Sequence, residues 1–328
     1  MCRAQGITKM KNIDVFNGDA DGICALHQLR LVNPVESVLI TGVKRDISLL
    51  KNVRAESGDE VTVLDISLDK NRVVLERLLS NNVSIRYFDH HFSGVIPEHQ
   101  NFEVFIDTSA DTCTSLLVND YLKGECLPWA VTAAFGDNLF DSAIAAAKPL
   151  SLSNDQLNQL KTLGTLINYN GYGGSLDDLY FTPDALYKII KPYANPFHFI
   201  KETEAFSVLE SGYASDMHHA NAISPELENS NYAIVILPDE KWSRRVSGVY
   251  ANQLAQKNPD RAHAILSIQT DDTYVVSVRA PLSNKNGADE VCRQFETGGG
   301  RKAAAGINRL AQNEYDRFIL VMNDIFKS

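Results

Sequence analysis

The sequence predicts an α/β protein whose N-terminal part is built on a mainly parallel sheet flanked by helices. Short apolar runs typical of buried strands alternate with segments of helical periodicity, and this alternation is typical of βαβ units. The strand-like runs cover residues 12–17, 35–40, 60–66 and 83–88, and the clearest helical patterns between them lie at 23–32 and 69–80.

We expect the chain to have three parts. Residues 10–210 form the parallel-sheet domain, with a helical extension at 112–123, 128–147, 154–168 and 183–206. The segment 211–230 is polar and lacks clear periodicity, so it is predicted to be a linker. Residues 231–328 form a smaller α/β domain, with strands at 231–237, 262–268 and 273–279 and helices at 245–257, 287–296 and 312–326.

The composition limits the partners of this chain. Its formal net charge is -10, and the acidic excess lies in the N-terminal part, because residues 236–328 hold 13 basic and 11 acidic residues. Long nucleic acid needs many Lys and Arg contacts, so it is not expected to be the main partner, whereas divalent cations and small anionic substrates are compatible. No apolar run reaches the roughly 20 residues of a membrane span, so no membrane partner is expected.

The cysteines and the N-terminal sequence favour the cytoplasm. The five cysteines are odd in number and form no CxxC pair, which argues against a disulfide framework and against a cysteine zinc site. Residues 1–9 show no apolar core of a signal peptide, and the first strand pattern begins only after Met10. We therefore expect a cytoplasmic protein. Residues 1–9 are expected either to be disordered or to precede the true start of the protein at Met10.

Aspartates follow three of the predicted strands. Asp19 and Asp21 come after the first strand, Asp65 closes the third, and Asp89 follows the fourth. In parallel sheets, ligands bind at the carboxyl ends of the strands. Asp65 ends an apolar strand and Asp137 lies in an apolar helical stretch, where a charge is costly unless it is paired or bound to metal. For the first pair, the alternative is that Asp21 caps the helix that follows.

Two histidines, His90 and His91, come directly after Asp89. A buried carboxylate beside two imidazoles can coordinate a metal, orient a ring or pass a proton. Carboxylate oxygens suit Mg²⁺ and Mn²⁺, and imidazole joins them for Mn²⁺. The pattern therefore predicts a metal site at this edge of the sheet.

The motifs resemble, in order, those of the DHH phosphoesterases. The matching runs are NGDADG at 17–22, VLDIS at 63–67, YFDHH at 87–91 and AFGDN at 134–138. Further on, YVVSVR at 274–279 and GGGRKAAAG at 298–306 resemble the DHH-associated C-terminal domain, type one. Within that family, the chain is most similar to the oligoribonuclease and nucleotide phosphatase branch.

The resemblance implies two divalent metal ions, with Mn²⁺ expected ahead of Mg²⁺. Asp65 would bridge the ions, Asp89 would orient an imidazole, and His91 would contact the scissile phosphate or the leaving group. Asn17 stands where the family commonly has His or Asp, and it would offer a neutral amide oxygen. The implied metal ligands are Asp19, Asp21, Asp65, His90, Asp137 and Asn17.

The resemblance also implies a substrate and the residues that would bind it. The expected substrate is a short oligonucleotide, a dinucleotide or a small nucleotide phosphate, and a homodimer is compatible with this activity. Because glycines have no side chain, an anion can approach their backbone N–H groups closely. A following helix N-terminus is expected to attract the anion through its dipole. Arg301, where the family usually has His, would act as a phosphate clamp. The implied substrate-binding residues are Arg279, Gly298, Gly299, Gly300 and Arg301.

Two alternatives stay open at this stage. The first is a cyclic-dinucleotide phosphodiesterase. The second is a nucleotide-binding regulatory protein with a weakened metal site, which is suggested by Val15 and Asn17 upstream of the first aspartates and by Arg301.

Overall fold

The computed structural model describes residues 10–327, so the expectation for residues 1–9 lies outside the described residues. These residues divide into two compact units, one of residues 10–171 with 175–209 and one of residues 172–174 with 210–327. Within the described range, no helix is both long enough and apolar enough to cross a membrane. Cysteines 24, 113, 126 and 292 are buried free thiols.

The first unit contains a parallel sheet of five strands. They are β1 (Asn12–Phe16), β2 (Ser37–Ile40), β3 (Glu60–Leu64), β4 (Ser84–Asp89) and β5 (Phe102–Ile106). Their order in the sheet is β2-β1-β3-β4-β5, and every neighbouring pair is parallel. The predicted fold class is therefore confirmed. Strand β5 was not predicted, because its half-buried side chains at the sheet edge make no continuous apolar run.

Helices connect and surround these strands. They are α1 (Ala20–Val32), α2 (Leu68–Ser80), α3 (Thr114–Tyr121), α4 (Leu127–Gly136), α5 (Phe140–Ala147), α6 (Asn154–Gly171), α7 (Pro183–Ile190) and α8 (Pro196–Glu202). Helix α9 (Glu204–Asn221) begins in the first unit, and its residues from Glu210 onward belong to the second. The single helix predicted over 128–147 is interrupted after Gly136, where Asn138 takes a left-handed backbone conformation with φ 63°. This break places Asp137 at the end of α4 instead of inside a helix.

Both faces of the sheet are covered. On one face, Ile13, Val63 and Ile85 belong to a core that also includes Leu75 of α2. On the other face, the Phe88 ring contacts Tyr121 of α3, with ring centroids 5.3 Å apart. Because the strands are covered on both faces, they are mostly apolar, with polar residues only at a few positions such as Asp14, which is paired with Arg30, and this is the pattern that predicts them.

The second unit contains a mixed sheet of six strands. They are β6 (Leu227–Glu228), β7 (Tyr232–Leu237), β8 (Ala262–Ile268), β9 (Thr273–Arg279), β10 (Gly298–Arg301) and β11 (Ala304–Ala311), in the order β10-β11-β9-β8-β7-β6. Only the pair β7–β8 is parallel within this sheet. The helices are α10 (Lys241–Lys257), α11 (Ala288–Cys292) and α12 (Tyr315–Ile325).

The glycine-rich segment 298–306 is a β-hairpin, so the prediction of a loop followed by a helix N-terminus is wrong. Strand β10 pairs antiparallel with β11, which begins at Ala304. Small residues are needed here, since a Cβ on Gly298 would lie 1.7 Å from the carbonyl oxygen of Cys292. The run contains no β-branched or aromatic residue before Ile307, so its composition does not indicate a strand.

The segment predicted as an irregular linker, 211–230, is helical up to Asn221, so that interpretation is wrong for residues 211–221. One buried contact on this part of α9 is polar, because Asp216 Oδ2 accepts a hydrogen bond from Arg245 Nε at 2.7 Å. The buried face of α9 also includes Leu209, Met217 and Ala220, so the charged Asp216 interrupts an apolar pattern that is otherwise sparse in large side chains, and this pattern does not indicate a helix.

Gly164 of α6 packs against α4, and an added side chain has no room there. A Cβ on Gly164 would lie 2.1 Å from the Thr132 carbonyl oxygen and 2.8 Å from the Gly136 nitrogen. Since both atoms belong to helix backbone, they cannot yield without moving α4 and the adjoining Asp137. We expect Gly164→Ala to lower the free energy of unfolding by about 1–3 kcal/mol in urea denaturation. The exposed neighbour Thr162→Ala should change it by less than about 0.5 kcal/mol, and equal effects would contradict this packing.

Candidate metal centre

The acidic motifs meet at the carboxyl ends of three adjacent strands. Residues 17–21 follow β1, Asp65 follows β3, and Asp89 is the last residue of β4. Because β1, β3 and β4 are neighbours and parallel, their ends lie side by side. Asp137, at the end of α4, completes the group and lies near His90. The buried members at this edge include Asp19, Asp21, Asp65, Asp89 and His90.

Asp19 and Asp21 each cap the start of a helix. Asp19 is the N-cap of α1, and its Oδ1 accepts hydrogen bonds from the backbone of Asp21 at 3.0 Å and Gly22 at 3.1 Å. The alternative that Asp21 caps this helix is therefore wrong. The Asp21 carboxylate instead accepts hydrogen bonds from the backbone N–H groups of Thr114 and Ser115, both at 2.7 Å, at the start of α3. These contacts hold both carboxylates in fixed orientations.

Asp65 is held in a strained and unfavourable position for a negative charge. Its φ of 58° lies in the left-handed region, which is uncommon for a residue other than glycine. Its backbone N–H donates to the Phe88 carbonyl at 3.0 Å, which fixes it between β3 and β4. Burial first, and then the charges of Asp19 and Asp21, raise the pKa of Asp65 well above its ordinary value. A bound cation would remove this penalty.

His90 is oriented as a ligand. Its Nδ1 lies 3.1 Å from the Thr112 carbonyl oxygen, which can only accept, so Nδ1 carries a proton and Nε2 is the ring nitrogen that faces the carboxylates. That Nε2 lies 3.4 Å from Asp65 Oδ1, 3.8 Å from Asp137 Oδ2 and 3.9 Å from Asp21 Oδ2. A backbone carbonyl behind the ring is a common partner of metal-binding histidines.

His91 is positioned by Asp89. Its Nδ1 donates to Asp89 Oδ1 at 2.7 Å, and the same oxygen accepts the backbone N–H groups of His90 and His91. Burial lowers the pKa of His91, but the hydrogen bond to Asp89 and the negative charges of Asp65 and Asp89 together outweigh this effect and raise the pKa above its ordinary value. The His91 side chain is 36% exposed, whereas that of His90 is 4% exposed, so only His91 is accessible from outside.

Two groups of side chains could hold a metal ion, Asp65–His90–His91 and Asp21–His90–Asp137. In each group the ligand atoms lie within 4.8 Å of one another, and His90 is common to both. One imidazole with several carboxylates is a donor set that suits Mn²⁺ and similar divalent ions, so the residues fit a divalent cation. Among residues 10–327, neither group includes Asp19 or Asn17.

The side-chain amide of Asn17 forms hydrogen bonds with backbone groups around the site. Its Oδ1 accepts the backbone N–H of Asp19 at 3.2 Å, and its Nδ2 donates to the carbonyl oxygen of Lys44 at 3.2 Å. The amide oxygen thus shapes the turn between β1 and α1. Its predicted role as a metal ligand stays a prediction.

Lys44 lies in the site and was not found from the sequence. Its Nζ is 2.5 Å from Asp19 Oδ2, 2.9 Å from Asn168 Oδ1 and 3.6 Å from Asp137 Oδ1. Burial raises the pKa of Asp19, but the Lys44 ammonium and the hydrogen bonds from Gly22 and Asp65 together outweigh this effect and hold the pKa below its ordinary value. The sequence offers one weak signal for Lys44, a basic residue that follows the strand β2, and this signal alone does not show that β2 lies next to β1.

In the second unit, the two predicted substrate-binding arginines lie in one row of the sheet. Arg301 on β10 is opposite Ala304 on β11, and Ala304 is opposite Arg279 on β9. Residues directly opposite each other project from the same face, so the two arginines share a face with a small residue between them. Arg301 is exposed, whereas Arg279 donates its Nε–H to Asn252 Oδ1 at 2.6 Å. On β10, Gly299 has open space where a side chain would be.

The second unit matches a known domain family. Residues 229–328 match the family model described as the DHHA1 domain. No curated protein matches the sequence.

Several solved structures share the fold of the whole chain. One is the DHH domain of a member of a family of ribosomal proteins, at 12% identity and a TM-score of 0.63, covering 96% of this chain and 86% of that one. A pGpG-specific phosphodiesterase, PggH from Vibrio cholerae, has 14% identity and a TM-score of 0.56, covering 96% and 99%. RecJ from Thermus thermophilus, solved in complex with Mn²⁺, has 15% identity and a TM-score of 0.57, and the match covers 96% of this chain but 52% of RecJ.

The C-terminal residues therefore match the DHHA1 domain, and the chain as a whole shares its fold with solved structures described as a DHH domain, a pGpG-specific phosphodiesterase and RecJ. The resemblance found in the motifs is therefore confirmed at this level. The narrower oligoribonuclease-like branch and the roles of the individual site residues stay predictions.

Metal binding at His90 predicts a thermal shift. An ion that binds only the folded state stabilises it, by about 2.7 kcal/mol at a concentration of 100 times Kd. We expect Mn²⁺ to raise the melting temperature of the protein and EDTA to reverse the rise. His90→Ala should abolish the Mn²⁺ shift, whereas His198→Ala, which alters an exposed histidine of α8, should retain it. A full shift in His90→Ala would contradict the assignment.

Proposed function

We propose that this chain is a metal-dependent phosphoesterase that hydrolyses short oligonucleotides, dinucleotides or small nucleotide phosphates. The observation that carries the proposal is the position of His90 Nε2, within 3.9 Å of carboxylate oxygens of Asp21, Asp65 and Asp137. Two solved relatives in fold support it, since one is described as a pGpG-specific phosphodiesterase and the other was solved with Mn²⁺.

The metal-holding residues in this proposal are His90, Asp21, Asp65 and Asp137. A divalent ion bound there supplies Lewis-acid chemistry, since it polarises a phosphoryl oxygen and makes a water molecule more acidic. Asp21 and His90 are held by backbone groups of residues 112–115, so the ligands are oriented before any ion arrives. The resemblance implies two such ions, and that number stays a prediction.

His91 would act on the substrate, and Asp89 would position it. Because Asp89 accepts the Nδ1–H, the other ring nitrogen of His91 is available on the more exposed side of the ring. The raised pKa keeps this imidazole protonated to higher pH than an ordinary histidine. A protonated ring can donate to a phosphate oxygen or to the leaving oxygen.

The DHHA1 domain would bind the anionic part of the substrate. Arg301 and Arg279 share one face of its sheet, and Gly299 leaves the backbone of the edge strand accessible beside Arg301. Guanidinium groups match phosphate oxygens in a bidentate geometry. The net charge of -10 favours a small nucleotide over a long polyanion.

A hydrolysis panel with Mn²⁺ tests this function. It contains a linear dinucleotide, a cyclic dinucleotide, a 3′-phosphorylated adenosine phosphate and an end-labelled longer strand. We expect the linear dinucleotide or the small nucleotide to be cleaved fastest. Asp65→Asn and His90→Ala should each lower kcat by about 100-fold or more, because each removes a metal ligand. The exposed Asp120→Asn is the matched control and should retain wild-type activity.

Two results would contradict the proposal. One is Mn²⁺-dependent turnover that survives in both Asp65→Asn and His90→Ala. The other is tight nucleotide binding without turnover at saturating Mn²⁺, which would support the regulatory binding protein instead. Cleavage of the cyclic substrate ahead of the linear one would change the substrate class but not the metal chemistry.

A further inference from the structure

Lys44 is held in the site through its backbone. Its N–H donates to the carbonyl oxygen of Gly171 at 2.8 Å, and its own carbonyl oxygen accepts from Asn17 Nδ2. Gly171 ends helix α6, and a Cβ there would lie 3.0 Å from the Cα of Asp19, so this helix end and the Asp19 turn are in close contact. The chain around Lys44 is therefore fixed at both peptide groups, and its side chain points at the carboxylates.

The ammonium group lies among three oxygens that belong to separate elements. Asp19 comes from the turn after β1, Asn168 from α6, and Asp137 from the end of α4. Asp19 and Asn168 are each 2% exposed. The ammonium donates hydrogen bonds to the Asp19 and Asn168 oxygens, and the Asp137 carboxylate adds an ion-pair contact at 3.6 Å. These oxygens therefore form a binding site for a positively charged group.

Beside Asp19, the position that a second metal ion would take is occupied by the Lys44 ammonium. Asp19 Oδ1 caps helix α1, and Asp19 Oδ2 lies 2.5 Å from the ammonium. The amide oxygen of Asn17 accepts the backbone N–H of Asp19. A second ion beside Asp19 would therefore have to displace Lys44. The ion group around His90, in contrast, does not include Asp19.

We propose that Lys44 takes the place of the second divalent ion, so that this protein binds one ion at His90 and uses the Lys44 ammonium as its other cation. Asp137 joins the two positions, since its Oδ1 lies 3.6 Å from Lys44 Nζ and its Oδ2 lies 3.8 Å from His90 Nε2. In two-metal enzymes the ions lie about 3.5–4 Å apart and act on opposite sides of the phosphate. Here a compact ammonium supplies one of these charges.

This inference rests on the metal site of the proposed function, and it is tested by counting ions. Equilibrium dialysis against Mn²⁺ measures the bound ions per chain, and electron paramagnetic resonance distinguishes an isolated Mn²⁺ from a coupled pair. We expect about one ion with an isolated spectrum for the wild type, and about two ions with a coupled spectrum for Lys44→Met. Lys44→Arg, which keeps the charge, should stay at about one ion. Lys70→Met alters an exposed lysine of α2 and should behave as the wild type.

The possible outcomes separate this inference from the function on which it rests. Two coupled ions in the wild type would overturn the role of Lys44 and leave the phosphoesterase proposal intact. Absence of any bound ion would overturn both. One ion in the wild type and still one in a folded Lys44→Met, with folding checked by circular dichroism, would show that Lys44 does not exclude the second ion. A single ion that is lost in His90→Ala supports the proposed placement.

Discussion

The structure depends on burying several carboxylates at one edge of a parallel sheet. A buried carboxylate is costly unless hydrogen bonds or cations stabilise its charge. Asp21 is stabilised by two backbone N–H groups at the start of α3, and Asp19 by the start of α1 and by Lys44. The charge of Asp65 is stabilised less strongly, since the hydrogen bond that its carboxylate accepts from the Thr114 hydroxyl is 3.4 Å long. The raised pKa of Asp65 is the direct consequence, and a cation at His90 would relieve it.

The same constraint explains why the surrounding backbone is so specific. The N-termini of helices α1 and α3 must face the carboxylate cluster, because their backbone N–H groups are the hydrogen-bond donors for the carboxylates. Close contact of α4 with α6 at Gly136 and Gly164 fixes the end of α4, from which Asp137 reaches the site. Helix packing directly beside the carboxylates therefore determines their geometry.

The sequence was informative where a single strand end determines the position of a side chain. Asp65 and Asp89 could be placed because each ends an apolar strand, and such ends collect at one edge of a parallel sheet. Lys44 could not be placed in the site in this way. Its position there depends on β2 lying next to β1 and on a hydrogen bond to Asn168, which is more than 120 positions later in the sequence. The small residues of the hairpin at 298–306 do not indicate a strand, and in the helix at 211–221 a buried ion pair at Asp216 interrupts a short apolar pattern.

The most direct test of the account is a crystal structure of the protein grown with Mn²⁺, with anomalous diffraction recorded at the manganese absorption edge. The account predicts an anomalous peak within coordination distance, about 2.0–2.3 Å, of His90 Nε2 and of carboxylate oxygens from the Asp21, Asp65 and Asp137 group. A fully occupied manganese peak elsewhere, with none at His90, would contradict the central claim that this cluster is a divalent-cation site.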